Sequence, residues 1–132
     1  MSIQTLTEQH HFRPIGAYFL RADGTVGRRK TVRVTQRLPL VYALGVGDEC
    51  RYIGKSVQGY GRPLNYHKNE VMTDVRDGIR EELQAGHEVT VYARTEHLRL
   101  NHGGLALNLM VAIEEALIRL LLPRWNNQVH EE

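Results

Sequence analysis

The sequence predicts an α+β domain, and three kinds of pattern support this prediction. Short runs of β-branched and aromatic residues occur in pairs around turn residues, as in β-hairpins. Apolar residues at every fourth position, and one longer apolar run near the end of the chain, indicate helices. The predicted order is two strand pairs, two helices, one strand and a final helix.

Two hairpins are expected in the first half of the chain. The first pairs residues 17–20 with 31–35 around Asp23-Gly24, and the second pairs 38–46 with 50–54 around Gly47-Asp48-Glu49. Residues 1–11 are polar and are expected to fray.

The second half is expected to be mainly helical. Pro63 suits the first turn of a helix, and a clearer helix has Asp74 as its cap and Gly86 as its stop. Its buried face would carry Val75, Ile79 and Leu83. The remaining predictions are a strand at 88–94, a loop at 95–104 and a long helix from Leu105 to Leu122, ended by Pro123.

Composition places few limits on function. The chain has 132 residues, 42% hydrophobic and 24% charged, with a net charge of +2, which suits one globular domain. Its one cysteine, Cys50, excludes an internal disulfide, and no pattern of a signal peptide is present, so we expect a cytoplasmic protein. The last apolar run contains Glu114, Glu115 and Arg119, which argues against a membrane span.

A basic segment lies between Gly24 and Gly47. It contains no acidic residue and carries Arg28, Arg29, Lys30, Arg33 and Arg37. Charges on an edge strand discourage aggregation, and the same charges would also bind a phosphate backbone through counterion release. Taken alone, this segment slightly favours the first interpretation.

Glu114 lies on the apolar face of the last predicted helix. Its neighbours three, four or seven residues away are all apolar: Leu107, Met110, Val111, Leu117, Ile118 and Leu121. A buried carboxylate without a partner costs several kcal/mol, so Glu114 requires a salt bridge or a metal ion, or it must stay protonated. Glu115 differs, because Arg119 follows four residues later and predicts a solvated ion pair.

Several of these residues carry a resemblance to a known family. Tyr42, the run Tyr52-Ile53-Gly54-Lys55, Arg62 eight residues after Gly54, and Glu114 twelve residues before Asn126 occur in order. In these motifs and spacings the chain resembles the GIY-YIG nucleases, with a layout closest to their phage endonuclease II type. The spacing to Asn126 selects Glu114 over Glu115, as the burial argument does independently.

The resemblance implies a small domain with a central antiparallel sheet flanked by helices. An N-terminal extension, residues 1–37, would precede a nuclease domain at 38–132. The implied activity is Mg²⁺-dependent hydrolysis of double-stranded DNA, with Mn²⁺ as a substitute. A homo-oligomer, either a dimer or a tetramer, would allow both strands to be cut, because one active site cuts one strand.

The resemblance also implies residue roles. Glu114 would anchor the metal, Arg62 would bind the non-bridging phosphate oxygens, and Tyr42 would act as general base, with His67 as the competing base. Tyr52 would position phosphate or water, and Asn126 would orient the site through its amide. The residues expected to contact substrate are Gly54, Lys55, Arg33 and Arg94.

Some features depart from the family pattern. The first motif lacks its glycine and isoleucine, Pro63 directly follows Arg62, and Tyr66 and His67 both qualify as the residue that follows the arginine. A DNA-binding module without chemistry and a scaffold that uses the apolar last helix are the alternative functions. His97 and His102 lack the spacing of a zinc site, and no metal role is predicted for them.

Overall fold

Five strands form one antiparallel sheet in the order β2-β1-β5-β3-β4. They are β1 (Arg13–Leu20), β2 (Val26–Lys30), β3 (Leu40–Val46), β4 (Glu49–Ser56) and β5 (Val89–Arg94). The computed structural model describes residues 2–31, 38–57, 59–66 and 73–126. The α+β prediction is confirmed, because helices pack on both faces of this sheet.

Both predicted hairpins are present. β1 and β2 pair around a turn in which Gly24 has φ +88°, and β3 pairs with β4 from Leu40↔Ser56 to Val46↔Glu49. The second strand of the first hairpin comes earlier than predicted, and residues 32–35 lie outside the described part. β1 also pairs with β5, so the N-terminal hairpin continues the sheet that contains β3 and β4.

The N-terminus is helical, and the expectation of a frayed segment was wrong. α1 (Ile3–Gln9) begins after Ser2, whose side chain accepts a hydrogen bond from the Thr5 N–H. Ile3 and Leu6 are buried beneath it. A helix of seven residues is not stable alone, so burial of these two side chains against the sheet holds it in place.

Two helical elements connect β4 to β5. A 3₁₀ helix (Gly59–Leu64) contains Pro63 inside it rather than beginning there. α2 (Thr73–Gln84) buries Val75, Ile79 and Leu83, as predicted, whereas Asp74 lies inside its first turn and not at the cap. Gly86, with φ +91°, ends the helix in a conformation that favours glycine.

The prediction of one helix from Leu105 to Leu122 was wrong. Residues 99–108 form a separate hairpin, β6 (Arg99–His102) and β7 (Leu105–Asn108), around Gly103 and Gly104. Both glycines have positive φ, which favours a hairpin turn over a loop entering a helix. α3 (Met110–Leu121) begins only after it, where the Asn108 side chain accepts from the Met110 N–H.

The sheet separates two apolar cores. One core packs the sheet against α2 and the 3₁₀ helix, and it includes Tyr42 and Tyr66. The other packs the opposite face against α1 and α3, and it includes Ile53, Met110 and Leu117. Successive residues of β4 therefore face different cores, as expected for a strand.

The outer edge of β4 is covered by residues that follow α3. The Trp125 N–H donates to the Arg51 carbonyl at 2.8 Å, and the Asn126 side chain bonds both backbone groups of Ile53. The Trp125 ring lies against Gly78 of α2, where a Cβ would approach it to 2.5 Å. This segment therefore joins β4 to α2. Within the described residues, no helix is both long and apolar enough to span a membrane.

We expect Gly78→Ala to destabilise the protein by about 1–3 kcal/mol, because the new methyl group would displace the Trp125 ring. Helix propensity alone predicts the opposite, a gain of up to about 1 kcal/mol. Urea unfolding measures the difference. In a Trp125→Ala background the substitution should be neutral or stabilising. Equal destabilisation in both backgrounds would show that Trp125 is not the cause.

Candidate active site

Three tyrosines form a cluster on the α2 side of the sheet. Tyr42 lies on β3, Tyr52 on β4 and Tyr66 just after the 3₁₀ helix, with ring centroids 6.0–6.3 Å apart. The hydroxyls of Tyr42 and Tyr66 are hydrogen-bonded to each other. Tyr42 and Tyr66 are fully buried, whereas Tyr52 is partly exposed. The cluster therefore has two inner phenols and one outer phenol.

The register of β3 and β4 creates this arrangement. Tyr42 lies opposite Gly54 and Leu44 lies opposite Tyr52, so the two tyrosines are diagonal neighbours on one face. A Cβ at Gly54 would lie 2.5 Å from Tyr42 Cζ and 2.6 Å from its hydroxyl oxygen. Only glycine leaves room for the Tyr42 ring at this point. Gly54 thus has a packing role. From the sequence, only a contact with substrate was predicted for it.

Arg62 lies beside the phenols. It projects from the 3₁₀ helix, is exposed, and donates a hydrogen bond to Tyr42. Its proximity partly offsets the effects that raise the pKa of Tyr42 and Tyr52. The tertiary structure therefore brings together Tyr42, Tyr52 and Arg62, as predicted from the sequence.

Burial controls the protonation of the cluster. Desolvation raises the pKa of all three phenols well above the ordinary value for tyrosine. Mutual repulsion raises it further, since a negative charge on Tyr52 disfavours one on Tyr42. All three phenols are therefore protonated at neutral pH, and the Tyr66 hydroxyl is hydrogen-bonded to both of the others.

Tyr18 of β1 holds the segment that carries Arg62. Its hydroxyl donates to the Pro63 carbonyl at 2.7 Å and accepts from the Tyr66 N–H at 3.0 Å. Arg28 of β2 donates to the Leu64 carbonyl at 2.9 Å. The N-terminal hairpin therefore positions the site. No role was predicted for Tyr18, and only the pairing of β1 with β5 brings it here.

Glu114 lies on the opposite side of β4. Its side chain is 15% exposed, and Oε1 accepts from Lys55 Nζ at 3.3 Å. Among the described residues no other hydrogen bond to this carboxylate is made. Its charge still contributes to the raised pKa of Tyr52, which links it electrostatically to the tyrosine cluster. The Glu114 carboxylate is thus half-satisfied: among the described residues only Oε1 has a hydrogen-bond partner, the exposed Lys55.

Two of the apolar neighbours predicted for Glu114 do not surround it as a helix would. Leu107 belongs to β7, and Val111 is 48% exposed. The other four, Met110, Leu117, Ile118 and Leu121, do pack in or against the core. Glu115 is exposed as predicted, but the described contacts include no ion pair between it and Arg119.

Asn126 bonds the backbone of the strand at the centre of the site. Its Oδ1 accepts from the Ile53 N–H and its Nδ2 donates to the Ile53 carbonyl, both at 2.8 Å. Both bonds are made to Ile53, which lies between Tyr52 and Gly54. Asn126 therefore positions β4, and its predicted role of orienting the site through its amide stays a prediction.

Of the remaining predicted residues, only Arg94 lies in the described part of the chain. Arg94 donates to the carbonyls of His10, Glu96 and His97, so it braces loops away from the tyrosine cluster. Arg33 and His67 lie outside the described residues. In the basic segment, Arg29 Nη2 donates to both carboxylate oxygens of Glu88, and this ion pair partly compensates the charge of Arg29.

Comparison with known proteins gives the fold. No protein-family model and no curated protein matches the chain. The match to the solved structure of a bacteriophage T4 EndoII mutant covers 96% of this chain and 99% of the EndoII chain. Its TM-score is 0.70, with 20% identity. The chain shares the fold of phage endonuclease II.

A second solved structure has a looser likeness. The match to the restriction endonuclease Hpy188I, solved in complex with product DNA, covers 91% of this chain and 81% of the Hpy188I chain. Its TM-score is 0.51, with 13% identity. The predicted layout of a GIY-YIG-like phage endonuclease is therefore confirmed at the level of the fold.

We expect Asn126→Ala to cost about 1–3 kcal/mol, since it leaves the buried Ile53 N–H and carbonyl without partners. Asn101→Ala, on the exposed β6 strand, is the matched control and should change stability by less than about 0.5 kcal/mol. Urea denaturation measures both. A loss no larger than the control would show that Asn126 does not hold β4.

Proposed function

We propose that this protein is a GIY-YIG-type endonuclease that hydrolyses phosphodiester bonds in double-stranded DNA with Mg²⁺. The observation that carries the proposal is the composition of the β4 edge. An exposed arginine and three protonated phenols lie on one side, and a half-satisfied carboxylate lies on the other. Donors for an anion and a ligand for a cation thus border the same strand, which suits a phosphate ester with its counter-ion.

Arg62 would bind the scissile phosphate. Its guanidinium presents a planar fork of donors that matches two non-bridging oxygens, and its exposure leaves it accessible. Tyr52, the outermost phenol, would donate to a phosphate oxygen or to the attacking water. The inner pair, Tyr42 and Tyr66, is bonded together and would present one shared donor towards that position.

The residues at the Glu114 side fit a magnesium ion. Mg²⁺ is commonly held by one or two carboxylates, with water and phosphate at the other positions, so a single glutamate suffices. Lys55 is 40% exposed on a flexible side chain, so it can leave Glu114 and contact DNA instead. When bound, Mg²⁺ would supply positive charge to the phosphoryl and leaving oxygens.

Tyr42 must lose its proton before it can accept one from water. Its raised pKa makes this unfavourable at neutral pH, and the positive charge of Arg62 acts in the opposite direction. His67 is the alternative base, with a better ordinary pKa for the task. In either case Tyr66 keeps the Tyr42 hydroxyl in a fixed direction.

Cutting both strands of a duplex would require two active sites or two encounters. We therefore propose that two or more copies of the chain cooperate, each cutting one strand. If the protein binds DNA without cutting it, the non-catalytic DNA-binding module becomes the better description.

Cleavage of supercoiled plasmid tests the function. We expect wild type to cut with Mg²⁺ and not with EDTA, and Glu114→Ala to lower the rate by at least about a hundredfold, because several kcal/mol of charge stabilisation is lost. Glu115→Ala is the matched control on the same helix and should cut normally.

Two outcomes would contradict the proposal. Cleavage that survives Glu114→Ala would remove Glu114 as the metal ligand. Salt-sensitive binding of varied DNA without any cleavage would show that the protein is a DNA-binding module.

The pH dependence of cleavage identifies the base. Burial raises the pKa of Tyr42, so the phenolate fraction increases about tenfold per pH unit through the alkaline range. If Tyr42 is the base, log kcat/KM should rise with unit slope from about pH 7 to about pH 9. A histidine base of ordinary pKa, about 6.5, would instead give a plateau above about pH 8. Tyr42→Phe should abolish the rise, and a plateau in wild type would exclude Tyr42.

A further inference from the structure

A second group of ligating side chains lies apart from the β4 edge. It consists of His11, Glu96 and His97, and one potential ligand atom of each lies within 4.8 Å of the others. The imidazole rings of His11 and His97 have centroids 4.5 Å apart and are tilted by 44°. All three side chains are exposed, so a dissolved ion can reach them.

The backbone at both histidines is in an uncommon conformation. His11 has φ +64° and His97 has φ +58°, and among the described non-glycine residues only Leu122 shares a positive φ. His11 directly follows the last turn of α1, where glycine is the usual residue in this conformation. At both positions the chain thus has a histidine where glycine would be less strained.

Buried neighbours and Arg94 hold together the two segments that carry the ligands. Phe12 follows His11, Leu98 follows His97, and both are buried in the same core. Arg94 donates to the carbonyls of His10, Glu96 and His97, and so bridges the two segments. The three side chains would have to rotate to bring their ligand atoms within bonding distance of one ion. The backbone that carries them is already held in place.

The type of ligand selects the type of ion. Two imidazoles and one carboxylate are the three protein ligands of many open zinc sites, in which water or another molecule takes the fourth position. Mg²⁺ prefers oxygen ligands, so this group does not suit it. All three side chains are exposed, so water can take the fourth position.

We propose that His11, Glu96 and His97 bind a divalent ion of the zinc type. The ion joins the end of α1 to the connection between β5 and β6. Arg94 contributes a positive charge that opposes binding, and the Glu96 carboxylate offsets it. None of these three ligands belongs to the proposed nuclease site.

The test uses the full chain with Glu114→Ala, so that the proposed magnesium ligand does not contribute. Titration with Zn²⁺ should show one site, and Co²⁺ should give visible absorption bands of a four-coordinate ion. Zn²⁺ should also raise the midpoint of thermal unfolding, because it binds the folded state. Glu96→Gln, His11→Asn and His97→Asn should each weaken binding by at least about tenfold.

Controls separate ligand loss from misfolding. Asparagine tolerates a positive φ, and with EDTA each variant should unfold at the temperature of its parent. His102→Ala removes an exposed histidine of β6 and should leave Zn²⁺ binding unchanged. If a histidine variant does not fold, Glu96→Gln alone carries the test. Absence of Zn²⁺ binding, or equal binding by Glu96→Gln and its parent, would overturn the proposal whatever the nuclease assay shows.

Discussion

The pairing of β3 with β4 is the constraint on which the rest of the site depends. Its register places Gly54 opposite Tyr42, and the missing side chain lets the Tyr42 ring lie against the neighbouring strand. The same register puts Tyr52 diagonally across on that face and turns Ile53 and Lys55 to the other. A slip of one residue would exchange the two faces. It would then separate the phenols from Arg62 and remove Lys55 from Glu114.

The two ends of the chain hold this hairpin in place. From the N-terminal side, Tyr18 and Arg28 bond the segment that carries Arg62 and Tyr66. From the C-terminal side, Asn126 bonds the buried backbone N–H and carbonyl of Ile53, which leaves fewer unpaired groups on the edge strand β4. The proposed chemistry therefore depends on residues that touch no substrate. Substitutions at Tyr18 or Asn126 would disturb the proposed active site through position rather than through reactivity.

Elements with strong local patterns could be predicted, and those that depend on context could not. The β3–β4 hairpin and α2 follow from turn residues and from apolar spacing, which act within a few residues. The segment 105–122 shows the limit, because Leu105 and Leu107 suit a strand or a helix equally well. The positive φ of Gly103 and Gly104 decides in favour of a hairpin. α1 was missed because only burial of Ile3 and Leu6 stabilises it.

The sequence by itself selected the candidate site residues. Tyr42, Arg62 and Glu114 could be selected because a carboxylate on an apolar face is costly and because their spacings match a known pattern. Tertiary structure alone decided how they are partnered: Lys55 with Glu114, Tyr66 with Tyr42, and Asn126 with the backbone of Ile53. It also decided that His11 meets His97. Such contacts join residues far apart in the chain, and their geometry follows from strand register and helix packing, which no local pattern encodes.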